Sequence, residues 1–440
     1  MFQKILTAYK TLACYCQWCF LELRKHLPTN RQVNPTPNTA LLIAWDLPPR
    51  FSSGTFRPHS FIKFCEQEMW TVDSFSGPID VKTDADNRSV STHRRGQSLH
   101  YNPPRFVPSF RIFPKIHGGF YTAISAVFQL KPLLTKRKYC AIIASGPPFC
   151  VFVIGYFSSR LNDCPLILDY RDEWTENPFI VANNKFDRWW ERRCIRAADM
   201  IVFTTESQKK HQLKIFHELS PDKTIVLPNG WDPSVDVQRF DLVGPKTVLD
   251  RPLVVSYIGK LGSHVPIGRF LSTLNSAMES ANQDTLRPII RFVGEIDEIA
   301  RSQVEATAGD IEIEEIGVVD HETAINIAAN SDLLLLIADK RLERYRPGKL
   351  YDYLASRRPI LVFGEAGEIS EVVEQLDAGI LIPFGDSDRL AAVIGGREIL
   401  PDPASNPALK PWLDRHSRET ITHTLIEALA TLSTNVPEND

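Results

Sequence analysis

The residues best placed to do chemistry are charged groups that close short aliphatic runs. Asp169, Arg171, Asp172 and Glu173 crowd the end of PLILDYRDEW, beside Trp174. Ionisable groups leaving an apolar strand are unfavourable unless they are solvated or paired in a cleft. Asp172 is therefore the candidate for proton handling or acceptor binding, and Arg171 either joins it or simply pairs with it. Farther along, Lys260 follows the run VVSYIG, and Lys349 follows Pro347-Gly348 at the start of a predicted helix. Arg344 and Arg346 share the loop KRLERYRPGK, and an arginine grips phosphate oxygens with two parallel hydrogen bonds. The alternative for each cation is a solvated surface charge.

Other chemistries lack their signatures. No Ser/His/Asp elbow, P-loop or Gly-x-Gly-x-x-Gly fingerprint is present, which weakens hydrolase, kinase and dehydrogenase readings. Asp84-Ala85-Asp86 has the form of a metal-binding pair but lies in the polar stretch 82–105, read as a surface loop, so no metal is expected there. Cys14, Cys16 and Cys19 lack the spacing of a zinc site and read as a weakly polar helix face.

The elements that must position these groups alternate. From residue 40, short β-branched or aliphatic runs (LLIAWDLPP, WTVDSFS, CAIIASGPP, PLILDY, MIVFTT) are followed by helical patterns such as FIKFCEQEMW and FCVFVIGYFSSRL, the pattern of parallel βα units. Ligands of such sheets bind beyond the carboxyl ends of the strands. Residues 233–251, with Gly244-Pro245, read as a linker, and PLVVSYIGKLG at Pro252 opens a second set of units. The expected organisation is an N-terminal helix and linker over 1–39, a Rossmann-like domain over 40–240, a second over 241–412, and a crossover helix and tail over 413–440.

The first 27 residues place Ile5, Tyr9, Leu12, Cys16, Phe20, Leu23 and Leu27 on one helical stripe, with Lys4, Lys10, Arg24 and Lys25 off it. The uncharged stretch 11–21 is too short to cross a bilayer, so this helix either lies on an anionic membrane surface or docks on the protein's own body. At 440 residues, with 50 basic and 53 acidic side chains and a net charge of −3, the chain is long enough for two large domains, and binding to nucleic acid through overall charge is not expected. Eight scattered cysteines suggest reduced thiols and a cytoplasmic setting.

Six segments in order, IIASGPP, LDYRDEW, ERRCIRAADMIVFTT, LPNGWD, YIGKLG and GKLYDYLASRRPILVFG, resemble the GT-B glycosyltransferases of the retaining, family-four-like kind over roughly residues 40–430. The resemblance implies an α/β fold of two Rossmann-like domains facing across a cleft. The N-terminal domain would take a glycan or lipid-linked acceptor, and the C-terminal domain a nucleotide-sugar donor that serves as co-substrate with no cofactor. Transfer would proceed with retention and without a metal. Lys260 and Lys349 would then meet the donor diphosphate, whose charge grows as the sugar leaves. Gly54, in the loop after the first strand, would let backbone amides approach a phosphate. Gly259, Gly364 and Glu368 would line donor loops, Val318 would offer backbone groups to the base, and Asn229 would face the acceptor side.

The family has two glutamates with seven residues between them. Asp352 in GKLYDYLA fills the second position, where it would hold ribose hydroxyls, whereas the first falls on Arg344. That replaced acid leaves a non-catalytic scaffold open as an alternative, alongside a sugar-nucleotide epimerase of the same fold.

Overall fold

The computed structural model describes residues 2–24, 35–50, 52–79, 95–103, 116–179, 185–235, 251–281 and 285–434. The chain divides into two compact units, one of residues 1–227 with 421–440 and the other of residues 228–420. The division lies upstream of the stretch read as linker, of which residues 236–250 fall outside the described residues, as does Asp84-Ala85-Asp86.

The first unit starts with helix α1 (Phe2–Arg24) and is built on seven parallel strands: β1 (Thr39–Ala44), β2 (Thr71–Ser76), β3 (Ser98–His100), β4 (Ala141–Gly146), β5 (Leu166–Tyr170), β6 (Met200–Phe203) and β7 (Thr224–Val226). Their order is β3-β2-β1-β4-β5-β6-β7. Alternate residues of β1 feed two cores, because successive side chains of a strand point to opposite faces. Leu41 and Ile43 pack among residues of α3 (Phe120–Lys136) and α4 (Cys150–Asn162). Ala40, Leu42 and Ala44 pack with α2 (Phe56–Gln67) and with Ile421, Leu425 and Leu429 of the last helix. The stretch 82–105, read as a loop, contains β3, a three-residue edge strand paired with β2. Its Ser-Leu-His composition is too short and polar to announce a strand.

The second unit has six parallel strands: β8 (Val254–Ile258), β9 (Ile289–Val293), β10 (Glu312–Gly317), β11 (Leu333–Ala338), β12 (Ile360–Gly364) and β13 (Gly379–Ile382). They are ordered β10-β9-β8-β11-β12-β13. In both sheets the strand order reverses once, at β1/β4 and at β8/β11, the positions where open α/β sheets offer a crevice. The chain then returns to the first unit. The last helix (Arg418–Thr434) begins with Arg418 Nε donating to the Gly230 carbonyl in the second unit, and from Ile421 onward it belongs to the first. No described helix is long and apolar enough to cross a membrane.

Candidate functional site

At the reversal point of the second unit the sheet opens. Strands β8 and β11 pair only at Val255 and Ser256, so the later N–H groups of β8 lose their neighbour on that side. Helix α10 (Gly348–Ser356) fills the gap, and Tyr353 Oη accepts the Ile258 N–H at 2.8 Å. Tyr353 thereby fixes α10 against the end of β8. One helical turn earlier on the same face stands Lys349, whose ammonium lies 3.6 Å from the centre of the Tyr257 ring.

Lys349 pairs with no described carboxylate, and burial brings its ammonium down from 10.5 to about 7. Gly259, which follows β8 with φ +112°, leaves the space that a side chain would take from Lys349: a Cβ there would lie 3.3 Å from Nζ. The helix start itself is bare. Pro347 is its N-cap and supplies no side-chain hydrogen bond, and the space a Gly348 side chain would occupy is open. The Gly348 and Lys349 N–H groups meet no acceptor among the described residues. A cation beside uncapped first-turn N–H groups is the physical make-up of an anion site.

The loop after β8 adds further charge. His264 is pushed below the usual histidine range by burial and next by the Lys349 charge, with Arg341 and Lys260 adding to the effect and Asp297 opposing it. Arg341, itself held by Asp339 at 2.8 Å, reaches the His264 carbonyl at 3.4 Å. Lys260 belongs to the same group but is half exposed and pairs with exposed Glu295 at 2.9 Å. Lys260 and Lys349 thus share one neighbourhood in unequal settings.

Asp352 stands one helical turn after Gly348 on α10. His321, the first residue of α9 (His321–Ala329), brings Nε2 to 3.4 Å from its carboxylate. Val318 is 80% exposed in the loop before that helix. Arg344 lies 3.5 Å from its neighbour Glu343. Two expected donor contacts have internal work instead. Glu368 is buried, with its carboxylate 2.5 Å from Arg346, and Gly364 packs against the Ala338 carbonyl with no room for a side chain. Asn229, expected on the acceptor side, groups with the second unit, where its Nδ2 donates to the Arg346 carbonyl at 3.1 Å. It braces the loop that leads into Lys349.

In the first unit, Arg171 does not close onto Asp172. Its guanidinium donates to the carbonyls of Gly54 at 2.5 Å, Gly146 at 3.2 Å and Pro147, tying the loops after β1, β4 and β5 together. A side chain at Gly54 would sit 2.6 Å from Arg171 Nη1, so the glycine makes room for the arginine. The Gly54 N–H is also committed, since it donates to Ser52 Oγ at 3.1 Å. Asp169 is fully buried and held by Arg57 at 2.8 Å and by Ser145 Oγ at 2.7 Å. Asp172, by contrast, has a carboxylate with no hydrogen-bond partner among the described residues. Burial raises it above the usual carboxylate range, with Arg171 opposing and Glu173 adding.

The sequence profile of Glycosyltransferase Family 4 matches residues 87–235. No curated protein matches the sequence. Among solved structures, sucrose-phosphate synthase from Thermosynechococcus elongatus aligns with a TM-score of 0.62 at 17% identity, covering 90% of this chain and 99% of that one. Anabaena HepE, solved with UDP and glucose, aligns at 0.61 and 16%, covering 89% and 99%. A glycosyltransferase from Rickettsia africae aligns at 0.64 and 13%, covering 91% and 100%.

The chain has the GT-B fold. Within it, the structure gathers Lys260, Gly259 and Lys349 at the end of β8, with Asp352 on α10, and gathers Gly54, Arg171 and Asp172 in the other unit. His264, Arg341 and His321 were not singled out in the sequence. A histidine four residues after Lys260 and a third arginine in KRLERYRPGK were the available signals, but only the folded loops bring them together.

Proposed function

We propose that the protein transfers a sugar from a nucleotide-sugar donor to a glycan or lipid-linked acceptor, with retention and without a metal. The observation that carries this reading is Lys349, a largely desolvated cation with no carboxylate partner among the described residues, set beside the bare N-terminus of α10. A protein interior tolerates such a charge poorly, and a bound diphosphate would repair the defect. Support also comes from the family-four match and from HepE, a protein of the same fold solved with UDP and glucose.

In this reading the donor diphosphate sits against the Gly348 and Lys349 N–H groups and the Lys349 ammonium, with Lys260 at its exposed side. Asp352, steadied by His321, takes the ribose hydroxyls. Charge stabilisation of the departing diphosphate supplies the catalysis, so no carboxylate nucleophile is required. Asp172 serves the acceptor side; should transfer invert the anomeric centre, it becomes the base to test.

One observation favours a second reading. Arg344 stands where the family has its first acid, and Glu368 is occupied by Arg346, which suits a scaffold that kept the fold. A thermal-shift screen of nucleotide sugars separates the two, because a ligand bound only to the folded state raises the melting temperature. The transferase reading expects stabilisation by at least one donor and its loss in Lys349→Ala. A flat response to every donor would support the scaffold.

A further inference from the structure

Helix α1 carries two apolar stripes, and the protein covers only one of them. Cys14 and Leu21 are buried in the core of the first unit. Trp18 packs edge-on against Phe120 at 5.0 Å and lies 6.2 Å from Trp190. On the other side Leu12 is 63% exposed, Phe20 50% and Leu23 70%, with exposed Cys16 and Cys19 between them. Positions 12, 16, 19, 20 and 23 fall on one helical face. Among the described side chains of α1, every exposed one is apolar or a thiol. Of the stripe read from the sequence, for which a membrane surface and the protein's own body were both open, Leu12, Cys16, Phe20 and Leu23 are turned outward.

The charge around this stripe points to its occupant. Residues 1–27 hold Lys4, Lys10, Arg24 and Lys25 against one acid, Glu22, in a chain whose net charge is −3. That acid is held toward the body, where it accepts from Trp18 Nε1 at 2.9 Å and pairs with Arg193 at 2.9 Å. Phe20 meets Phe128 of α3 at 6.2 Å, and Lys131, one turn beyond Phe128, is exposed with no described carboxylate partner. An apolar face on a segment whose sequence is basic, with exposed Lys131 beside it, matches an anionic lipid surface: the apolar side chains enter the boundary between headgroups and acyl chains while cations stay with the headgroups.

We propose that this face of α1, with Phe128 and Lys131, seats the protein on the surface of an anionic bilayer, the helix lying in the interface plane. The inference does not depend on the transferase reading.

Flotation of the full chain with vesicles tests it. The protein is expected to float with phosphatidylglycerol/phosphatidylcholine vesicles, to bind phosphatidylcholine alone more weakly, and to be partly released by about 0.5 M salt. Leu12→Ser, Phe20→Ser and Leu23→Ser combined should weaken binding on the order of 100-fold. Circular dichroism and nucleotide binding should be unchanged, since these side chains face water. Lys131→Glu should weaken binding several-fold. A wild type that stays soluble with both vesicles would overturn the proposal, as would a triple variant that floats like the wild type. A wild-type dimer that the triple variant dissolves, with no vesicle binding by either, would assign the face to a second copy instead.

Discussion

The strand ends of the two units handle charge in opposite ways. In the first unit Arg171 and Asp169 are consumed by the fold, with Asp172 left as the exception: Arg171 links three loops through their carbonyls, and Asp169 is locked to Arg57 and Ser145. In the second unit Lys349 has an aromatic ring beneath it, no carboxylate partner among the described residues and a bare helix start beside it. Internally satisfied charge holds a structure together. Charge left unsatisfied at a sheet's reversal point is available to a ligand, and the fold gives up some stability to keep it there.

Substitutions can break this contrast. The largest effect is expected at Asp169→Ala, which strands buried Arg57 and should cost about 3–5 kcal/mol of stability in the first unit, read by chemical denaturation. Nearly as large, but in activity, Lys349→Met should lower the rate of transfer about 10²–10³-fold while leaving the melting temperature unchanged or raised. A melting temperature that fell as far as that of Asp169→Ala would place Lys349 among the structural charges and erase the distinction.

The pH dependence sharpens the same comparison because its sign differs between units. Buried Glu191 of α5 (Lys185–Ala197) is pushed up from 4.5 to about 8 by burial, while hydrogen bonds from Thr175 and Tyr170 oppose the shift. Folding favours its protonated form, so its contribution is complete below 4.5 and is lost as pH rises through about 8. Lys349 runs the other way: its depressed value disfavours the charged form in the fold, so stability rises as pH climbs from about 7 toward 10.5. Hydrogen exchange on α5 should lose protection with rising pH, and exchange on α10 should gain it. Glu191→Gln and Lys349→Met should flatten the respective trends, and a common trend in both helices would contradict the assignment. The smallest effect is expected at Lys260→Ala. Its pair with Glu295 is exposed on both sides, so stability should change by less than about 1 kcal/mol. Donor KM should rise about tenfold, less than the loss at Lys349; an equal loss would make the two lysines equivalent.

Much of the fold was legible because parallel strands buried on both faces are written as unbroken aliphatic runs, as in AIIASG of β4 and LLLLIA of β11. Strand β3 was not, since a three-residue edge needs no apolar run. The stripe of α1 was visible, but Cys14, Trp18 and Leu21 form a second one, and only packing decides which is covered. At the site, Lys349 was legible from its place after Pro-Gly at a helix start. The roles of Asn229, Arg171 and Glu368 were not, because each bonds a group far away in sequence: Asn229 to the carbonyl of Arg346, Arg171 to that of Gly54, and Glu368 to the Arg346 side chain.

The central claim, that Lys349 is a cation held in reserve for a diphosphate, is tested most directly by calorimetric titration of UDP at about pH 8 in buffers of different ionisation enthalpy. With its ammonium near 7 in the empty protein, Lys349 is mostly neutral there and should recover its charge when the anion binds. The account predicts uptake of close to one proton per UDP bound, falling toward zero at about pH 6 and absent in Lys349→Met. Tight UDP binding with no proton uptake at either pH, and the same affinity in Lys349→Met, would contradict it.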